Sequence, residues 1–307
     1  ADSGGVLPWT KWAVAVAAAL VLVLTLPTCV SANRVTSASA QSNWLNGTTG
    51  TQQWDTSTNW STDPTVPNGT GVVANLSRDL TVAQTVNLAT PVSLGALTYG
   101  DTIAGFFAQN ITGSTLTFNN NGSGATLTQA STSEANPVAP VTTLPGNIAN
   151  NIVLDDNLAI VHSSTDTSRG DAIQLSGVIS GTGGITLNAG GGGGVWFANS
   201  GNTYSGGLTL NHSTARVLTF TNADAFGTGT VTINAGTVDT SGDVSPQLLT
   251  TSNSNVWNGS WTHAGLWNNN GNVTLGGNIT VTQAFTSLGL GGDISDRLVD
   301  AIVAWGD

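Results

Sequence analysis

The stretch GNTYSGGLTLNHSTARVLTFTNADAFGTGTVTINAGTVDTSG, residues 201–242, combines glycine and asparagine turns with short apolar runs interrupted by threonine or asparagine. Alternation with a period of two predicts a β-strand that has one apolar face. Val231 and Ile233 are therefore expected on one face of a strand, with Thr232 and Asn234 on the other. Glycine and asparagine at the turns provide the positive φ that tight corners require.

The same unit recurs in GVISGTGGITLNAG (177–190) and in NNGNVTLGGNITVTQ (269–283). A strand of a few residues cannot bury its apolar face alone, so successive strands are expected to stack on one another. An antiparallel sandwich or barrel and a parallel β-helix both provide such stacking. The uneven spacing of the units and their glycine-rich inserts favour the second, an all-β parallel β-helix (solenoid).

The composition excludes several classes of protein. Only 7% of the 307 residues are charged, against about a quarter in an ordinary soluble domain. Lys11 and Glu134 are the single lysine and the single glutamate, which disfavours helical surfaces and favours strands and turns. The net charge of −11 and the scattered arginines exclude nucleic acid as a partner, since phosphate binding needs clustered basic residues.

Residues 1–40 are predicted to be an export signal. A lysine precedes the apolar run AVAVAAALVLVLTL (Ala13–Leu26), which is shorter than the roughly 20 residues of a membrane-spanning helix. Small residues allow cleavage after Ala32 or Ala40, and membrane contact is expected only through this cleavable segment. LPTC, ending at Cys29, resembles a lipoprotein box loosely, and simple secretion is preferred. A single cysteine also excludes an intramolecular disulfide.

The remainder of the chain divides into three predicted regions. Residues 41–100 form a tryptophan-rich N-terminal β segment or cap, and residues 101–293 form the β-helix, whose repeat is clearest at 177–242. The stretch 294–307 has apolar residues at helical spacing, so it is predicted to be a short helical tail or a truncated end. The glycine run at 189–194 is interpreted as a flexible loop or a close approach of two backbones.

SGNTYSGGLTLN (200–211), followed by NADAFGTGTVTINAGTVD (222–239), resembles the autotransporter-associated β-strand repeat. The tryptophan-rich start resembles the region that often precedes such repeats. The resemblance implies a right-handed β-helix that is exported to the bacterial cell surface or the extracellular space as an adhesin-like passenger. Residues after 242 do not resemble the C-terminal barrel of a complete autotransporter, so a short member or a passenger fragment is expected.

Catalytic residues are not predicted. Polysaccharide hydrolysis or lysis usually needs paired carboxylates, or a metal held by carboxylates. Asp155 and Asp156 in VLDDNLAI are the only adjacent acids, and adjacent strand residues point to opposite faces unless they occupy a corner. A solvated corner is the preferred interpretation.

Metal and cofactor sites are not predicted either. His162, His212 and His263 lie far apart in the sequence without the spacing of metal ligands, and surface positions are expected for them. Asp293 and Asp296 in GGDISD resemble a calcium loop only loosely, and an exposed turn is preferred. No nucleotide-binding or nucleophile motif is present.

Two tryptophan clusters are the candidate glycan contacts. Exposed indole rings stack on sugars, whereas buried ones fill irregular space at the corners or ends of a coil. Both interpretations stay open at this point. The six residues are Trp44, Trp54, Trp60, Trp257, Trp261 and Trp267.

These patterns predict an exported, non-enzymatic surface protein of structural or adhesin-like type. Surface glycans or other copies of the same chain are its expected partners. A carbohydrate-binding module that uses the tryptophan clusters is the alternative, and a β-helical polysaccharide lyase or hydrolase is the third hypothesis, because a fold alone does not supply a catalytic site.

Overall fold

The structure is a computed structural model that describes residue 1 and residues 41–102, 107–130, 146–162, 173–189, 194–219, 224–239, 248–264, 272–275, 279–281 and 289–290. The chain divides into two compact units, Ala1–Ser37 and Ala38–Asp307, and all described strands belong to the second. Apart from residue 1, the predicted signal segment 1–40 lies outside the described residues, as does the predicted tail 294–307.

The described strands, numbered β1–β24 in chain order, form three faces and one additional pair. The first face contains β1 (Ser42–Asn43), β3 (Val73–Asn75), β6 (Ala96–Tyr99), β9 (Ala125–Gln129), β12 (Leu158–His162), β15 (Ile185–Ala189), β20 (Asn255–Trp257), β23 (Ile279–Val281) and the first halves of β17 (Leu208–Thr219) and β18 (Val231–Asp239). The second face contains the other halves of β17 and β18 with β2 (Gly50–Gln53), β4 (Gln84–Leu88), β7 (Gln109–Gly113), β10 (Asn147–Ile148), β13 (Ile173–Leu175), β16 (Val195–Phe197), β21 (Trp261–Ala264) and β24 (Gly289–Leu290). The third face contains β5 (Val92–Leu94), β8 (Leu116–Phe118), β11 (Ile152–Leu154) and β14 (Ile179–Gly181), and β19 (Leu248–Thr251) pairs with β22 (Asn272–Leu275).

Successive strands visit the three faces in turn, so that β3, β4 and β5 make one coil and β6, β7 and β8 make the next. All pairings between described strands are parallel, and each joins a strand to its counterpart one coil away. The predicted all-β parallel β-helix is therefore confirmed, and the antiparallel sandwich or barrel is excluded.

The interior is made of stacked apolar columns. Leu187, Leu210 and Ile233 occupy one position in three consecutive coils and are at most 2% exposed. Val231 is equally buried, whereas Thr232 between it and Ile233 is half-buried on the outward side, so the predicted alternation is confirmed. Burial of each such side chain contributes roughly 1.5–3 kcal/mol before the entropy cost of ordering the coil.

Coils differ in length while their strands stay in register. Equivalent corner residues are 23 positions apart at Asn188 and Asn211, but 36 apart at Asn119 and Asp155. The paired strands stay in register because the stacked columns require it, and the corners absorb the difference in coil length. This explains why the repeat is clearest in the sequence at 177–242, where the coils are shortest and most uniform.

Gly207 shows how closely two coils approach at a corner. Its φ is +86°, and a Cβ built on it would lie 2.4 Å from the carbonyl oxygen of Thr230 in the next coil. The backbone on both sides of this contact is held by hydrogen bonds between coils. Ile185 N–H donates to the Gly207 carbonyl oxygen (2.8 Å), and Leu208 N–H donates to the Thr230 carbonyl oxygen (3.0 Å). Glycine is therefore required here both for its conformation and for its lack of a side chain.

We expect Gly207→Ala to lower the free energy of unfolding by about 3 kcal/mol, from left-handed strain plus the steric contact with Thr230. Gly50→Ala is the matched control, because Gly50 has a φ of +82° and nothing within 4 Å of its added Cβ. It should lose only about 1–2 kcal/mol, the cost of the conformation alone. Urea unfolding monitored by circular dichroism measures both, and equal losses would contradict the close approach of the coils.

Candidate functional site

The N-terminal tryptophan cluster is buried under the first coils. Trp44, Trp54 and Trp60 are 4%, 0% and 1% exposed. The Trp60 ring contacts the other two edge-on, with centroids 4.9 Å from Trp44 and 4.6 Å from Trp54. Edge-to-face packing of this kind stabilises a core.

Each indole N–H of this cluster has a hydrogen-bond acceptor. Trp54 Nε1 donates to the Pro67 carbonyl oxygen (3.0 Å), and Trp60 Nε1 donates to the Trp54 carbonyl oxygen (2.8 Å). Trp44 Nε1 donates to Gln84 Oε1 (3.1 Å). The polar edge of each ring is satisfied inside the protein, as buried tryptophans require.

The same segment covers the outer edge of β1. Leu45 N–H donates to the Asn59 carbonyl oxygen (2.7 Å), and Ser61 N–H donates to the Asn43 carbonyl oxygen (2.8 Å), which places an antiparallel bridge beside an otherwise parallel strand. Asn59 Nδ2 also donates to the Gln53 carbonyl oxygen at the end of β2 (2.8 Å). Bonding of edge groups in this way blunts a sheet edge that could otherwise pair with another chain.

The second tryptophan cluster is also buried. Trp257 and Trp261 are 3% and 6% exposed, with ring centroids 5.2 Å apart at 67°. Trp257 continues the inward column of the first face, in register with Ile233. Aligning INAG with WNGS in the sequence would have shown that Trp257 occupies the position of Ile233.

Burial corrects the glycan interpretation of these residues. A ring that is less than a tenth exposed has no free face on which a sugar could stack, so packing replaces glycan contact for Trp44, Trp54, Trp60, Trp257 and Trp261. Trp267, the sixth candidate, lies outside the described residues.

Asp155 and Asp156 occupy a corner directly after β11, as predicted. Asp156 accepts hydrogen bonds from the backbone N–H of Asn120 (2.5 Å) and of Gly122 (3.1 Å) in the preceding coil. Asp155 Oδ2 accepts from Asn119 Nδ2 at 3.0 Å. Through these hydrogen bonds, both carboxylates join the corner after β11 to the corresponding corner of the preceding coil.

The histidines occupy separate places. His162 is 3% exposed at the end of β12, in register with Gln129, so the predicted surface position is wrong for this residue. His212 is exposed, with Nδ1 2.9 Å from Thr214 Oγ1, and the side chain of His263 lies outside the described part of the chain. Within the described ranges, no group of three His, Cys, Asp or Glu residues could hold a metal ion.

Asp293 and Asp296, the candidate calcium loop, lie outside the described residues, as do positions 190–193 of the glycine run. The run's last residue, Gly194, has a φ of +78° and directly precedes β16. At this position glycine provides a left-handed backbone conformation that other residues adopt only with strain.

An asparagine ladder, which the sequence analysis did not identify, runs along the corner that follows the first face. Asn211 Nδ2 donates to Asn188 Oδ1 (3.2 Å), Asn234 Nδ2 donates to Asn211 Oδ1 (2.8 Å), and Asn258 Nδ2 donates to Asn234 Oδ1 (2.7 Å). An amide has both a donor and an acceptor, so identical side chains can bond along the stack in one direction. The repeated asparagine after each inward residue, in TLNAG, TLNHS, TINAG and VWNGS, was the available signal.

Buried amides join coils in the interior as well. Asn202, 2% exposed, accepts from Ile179 N–H (2.8 Å) in the coil before it and donates to the Ala225 carbonyl oxygen (3.0 Å) in the coil after it. Near the N-terminal end, Gln109 Nε2 donates to the Leu76 carbonyl oxygen (3.0 Å), and Gln84 Nε2 donates to that of Thr48 (2.9 Å). A buried amide without such partners would lower stability by about 1–3 kcal/mol.

Trp196 differs from the other tryptophans whose side chains are described. It is half-buried in β16 and lies on the outward side of the second face, between Val195 and Phe197, which both point inward. Trp196 lies outside the two tryptophan clusters in the sequence, so the spacing of the tryptophans did not indicate it.

A scan against protein-family models, a search of curated proteins and a search of solved structures each found no match. Among the described residues, no helix has the length and apolar character that crossing a bilayer requires. The resemblance to the autotransporter-associated repeat therefore rests on the sequence alone, chiefly on residues 177–242 and also on the tryptophan-rich start.

We expect Asp156→Asn to lower the free energy of unfolding by about 1–2 kcal/mol, because the hydrogen bonds from Asn120 and Gly122 lose their charge assistance and one of the two acceptor oxygens. Asp79→Asn makes the same change in net charge at an exposed position, and it should alter stability by less than about 0.5 kcal/mol. Chemical unfolding of both variants provides the comparison. A loss in Asp79→Asn as large as that in Asp156→Asn would show that net charge, and not the corner bonds, determines the effect.

Proposed function

We propose that this chain is an exported, non-enzymatic β-helical protein of the bacterial cell surface or extracellular space, adhesin-like in type. It acts either as a whole protein or as a fragment of a longer passenger. The observation that carries the proposal is that polar side chains make hydrogen bonds to neighbouring coils. Asn202 bonds the coil on each side of it, and Asn211 bonds both Asn188 and Asn234.

Side chains used in this way hold a scaffold together and present regular columns of threonine and asparagine outward. Such columns suit contact with other surfaces over many coils. The apolar segment before residue 41 supports export, and the resemblance of residues 177–242 to the autotransporter-associated repeat supports a surface location.

The lyase or hydrolase hypothesis has less support. Asp155 and Asp156 bond Asn119, Asn120 and Gly122, and this use explains the adjacent acids without a substrate. A carboxylate that holds a corner is not available to accept a proton from a sugar or to attack it.

The carbohydrate-binding alternative cannot rest on the two tryptophan clusters, because five of their six members are buried. Trp196 is the observation that keeps this alternative, because it is half-buried on the outward side of the second face.

Export is tested by producing the full chain with a C-terminal epitope tag in a Gram-negative host. We expect processed protein outside the cytoplasm, with Asn33 or Gln41 as its first residue, because small residues precede both positions. Leu20→Arg interrupts the apolar run and should leave uncleaved protein in the cytoplasm. Uncleaved wild-type protein in the cytoplasm, indistinguishable from the variant, would contradict export.

Absence of catalysis is tested with a panel of neutral and acidic polysaccharides. We expect no release of reducing ends or unsaturated products above that of heat-denatured protein, because the only adjacent acids hold a corner. Turnover that disappears in Asp155→Asn or Asp156→Asn would overturn the proposal in favour of an enzyme.

A further inference from the structure

The outward side of the second face has a column in which four neutral polar positions are followed by a tryptophan, and the same column continues at Leu218 in β17 and Asp239 in β18. Going from coil to coil, these five positions are Thr85, Asn110, Asn147, Gln174 and Trp196, in strands β4, β7, β10, β13 and β16. None of these side chains ionises near neutral pH. Because parallel strands lie about 4.8 Å apart, Gln174 and Trp196 are immediate neighbours on this surface.

Trp196 is the aromatic residue of this surface. The five other tryptophans with described side chains are 6% exposed or less, and Trp196 is half-buried on the outward side. The inward positions of the same strand are filled by Val195 and Phe197, at 2% and 0% exposure, so Trp196 lies outside the inward columns, with its indole nitrogen covered and part of the ring exposed. A large aromatic residue on an outward strand position is informative, since most large apolar side chains of this chain are buried.

The amides beside Trp196 differ in their availability. Ser176 Oγ donates to Asn147 Oδ1 (2.8 Å), and Asn110 Oδ1 accepts from the backbone N–H of Asn147 (3.0 Å). Gln174 bonds through its backbone N–H to the Gly146 carbonyl oxygen, whereas its side-chain amide makes no hydrogen bond within the described part of the chain. Among the described residues, the Gln174 amide is therefore an uncommitted donor and acceptor pair next to the ring.

We propose that Trp196 and Gln174 form a subsite for a neutral polysaccharide on the second face. The indole provides an apolar surface for the C–H face of a sugar ring, and the amide donates to and accepts from its hydroxyl groups. The four neutral positions before Trp196, the acidic Asp239 further along the same column and the net charge of −11 disfavour acidic polysaccharides. This inference goes beyond the scaffold function and does not depend on export, because it concerns the purified protein.

The test is affinity electrophoresis of the purified full chain in gels that contain hydroxyethyl cellulose or glucomannan, with alginate as the acidic polymer. We expect the wild-type protein to be retarded by at least one neutral polymer and not by alginate. Trp196→Ala should weaken this binding roughly tenfold, which is the loss expected for a stacked aromatic ring. Gln174→Ala should weaken it severalfold, and Trp196→Phe should retain part of it.

Thr209→Ala is the matched control, since Thr209 is a half-buried outward residue of the first face, and it should bind as the wild type does. Circular dichroism and thermal unfolding show that each variant is folded, and if Trp196→Ala does not fold, Gln174→Ala and Trp196→Phe decide. No retardation of the wild type by either neutral polymer overturns the proposal. Unchanged affinity in folded Gln174→Ala and Trp196 variants, or retardation by alginate alone, overturns it as well.

Discussion

Register between neighbouring coils is the constraint on which this structure depends. A coil of three short strands neither buries its inward side chains nor satisfies its corner groups by itself, so both tasks fall to the adjacent coils. Asn202 illustrates this, because its acceptor is used by the coil before it and its donor by the coil after it. Leu210 likewise is covered by Leu187 on one side and Ile233 on the other. A shift of one residue would break the amide bonds and turn apolar side chains outward.

The same constraint explains why the chain has so few charged residues. An outward position repeats about every 4.8 Å along the stack, so identical charges in one column would repel each other by about 1 kcal/mol per pair even in bulk water. An amide avoids this cost because its NH₂ group can donate to the oxygen of an identical amide in the adjacent coil, as the bonds from Asn211 to Asn188 and from Asn234 to Asn211 show. Threonine occupies the outward position two residues before each of these asparagines, where Thr186, Thr209 and Thr232 lie in register.

The sequence predicts features that depend on local alternation, and fails where a residue's role depends on the coil above or below. Val231 and Ile233 are buried as predicted, because the period of two is visible within one strand. Trp257 lies among asparagines and glycines and looks exposed from its local pattern, and comparison with Ile233 one coil away shows that it points inward. Trp196 and Gln174 lie 22 residues apart in different coils, so no local pattern brings them together.

The most direct test of stacking in register is a set of distances between spin labels on the first face. In a chain with Cys29 replaced by serine, cysteines at Val73, Thr126 and Thr232 provide pairs separated by four coils (126–232) and six coils (73–232). With about 4.8 Å per coil, double electron–electron resonance should give a distance for the 73–232 pair that is about 10 Å longer than that for the 126–232 pair. Equal distances, or distances that do not increase with the number of coils, would contradict the account.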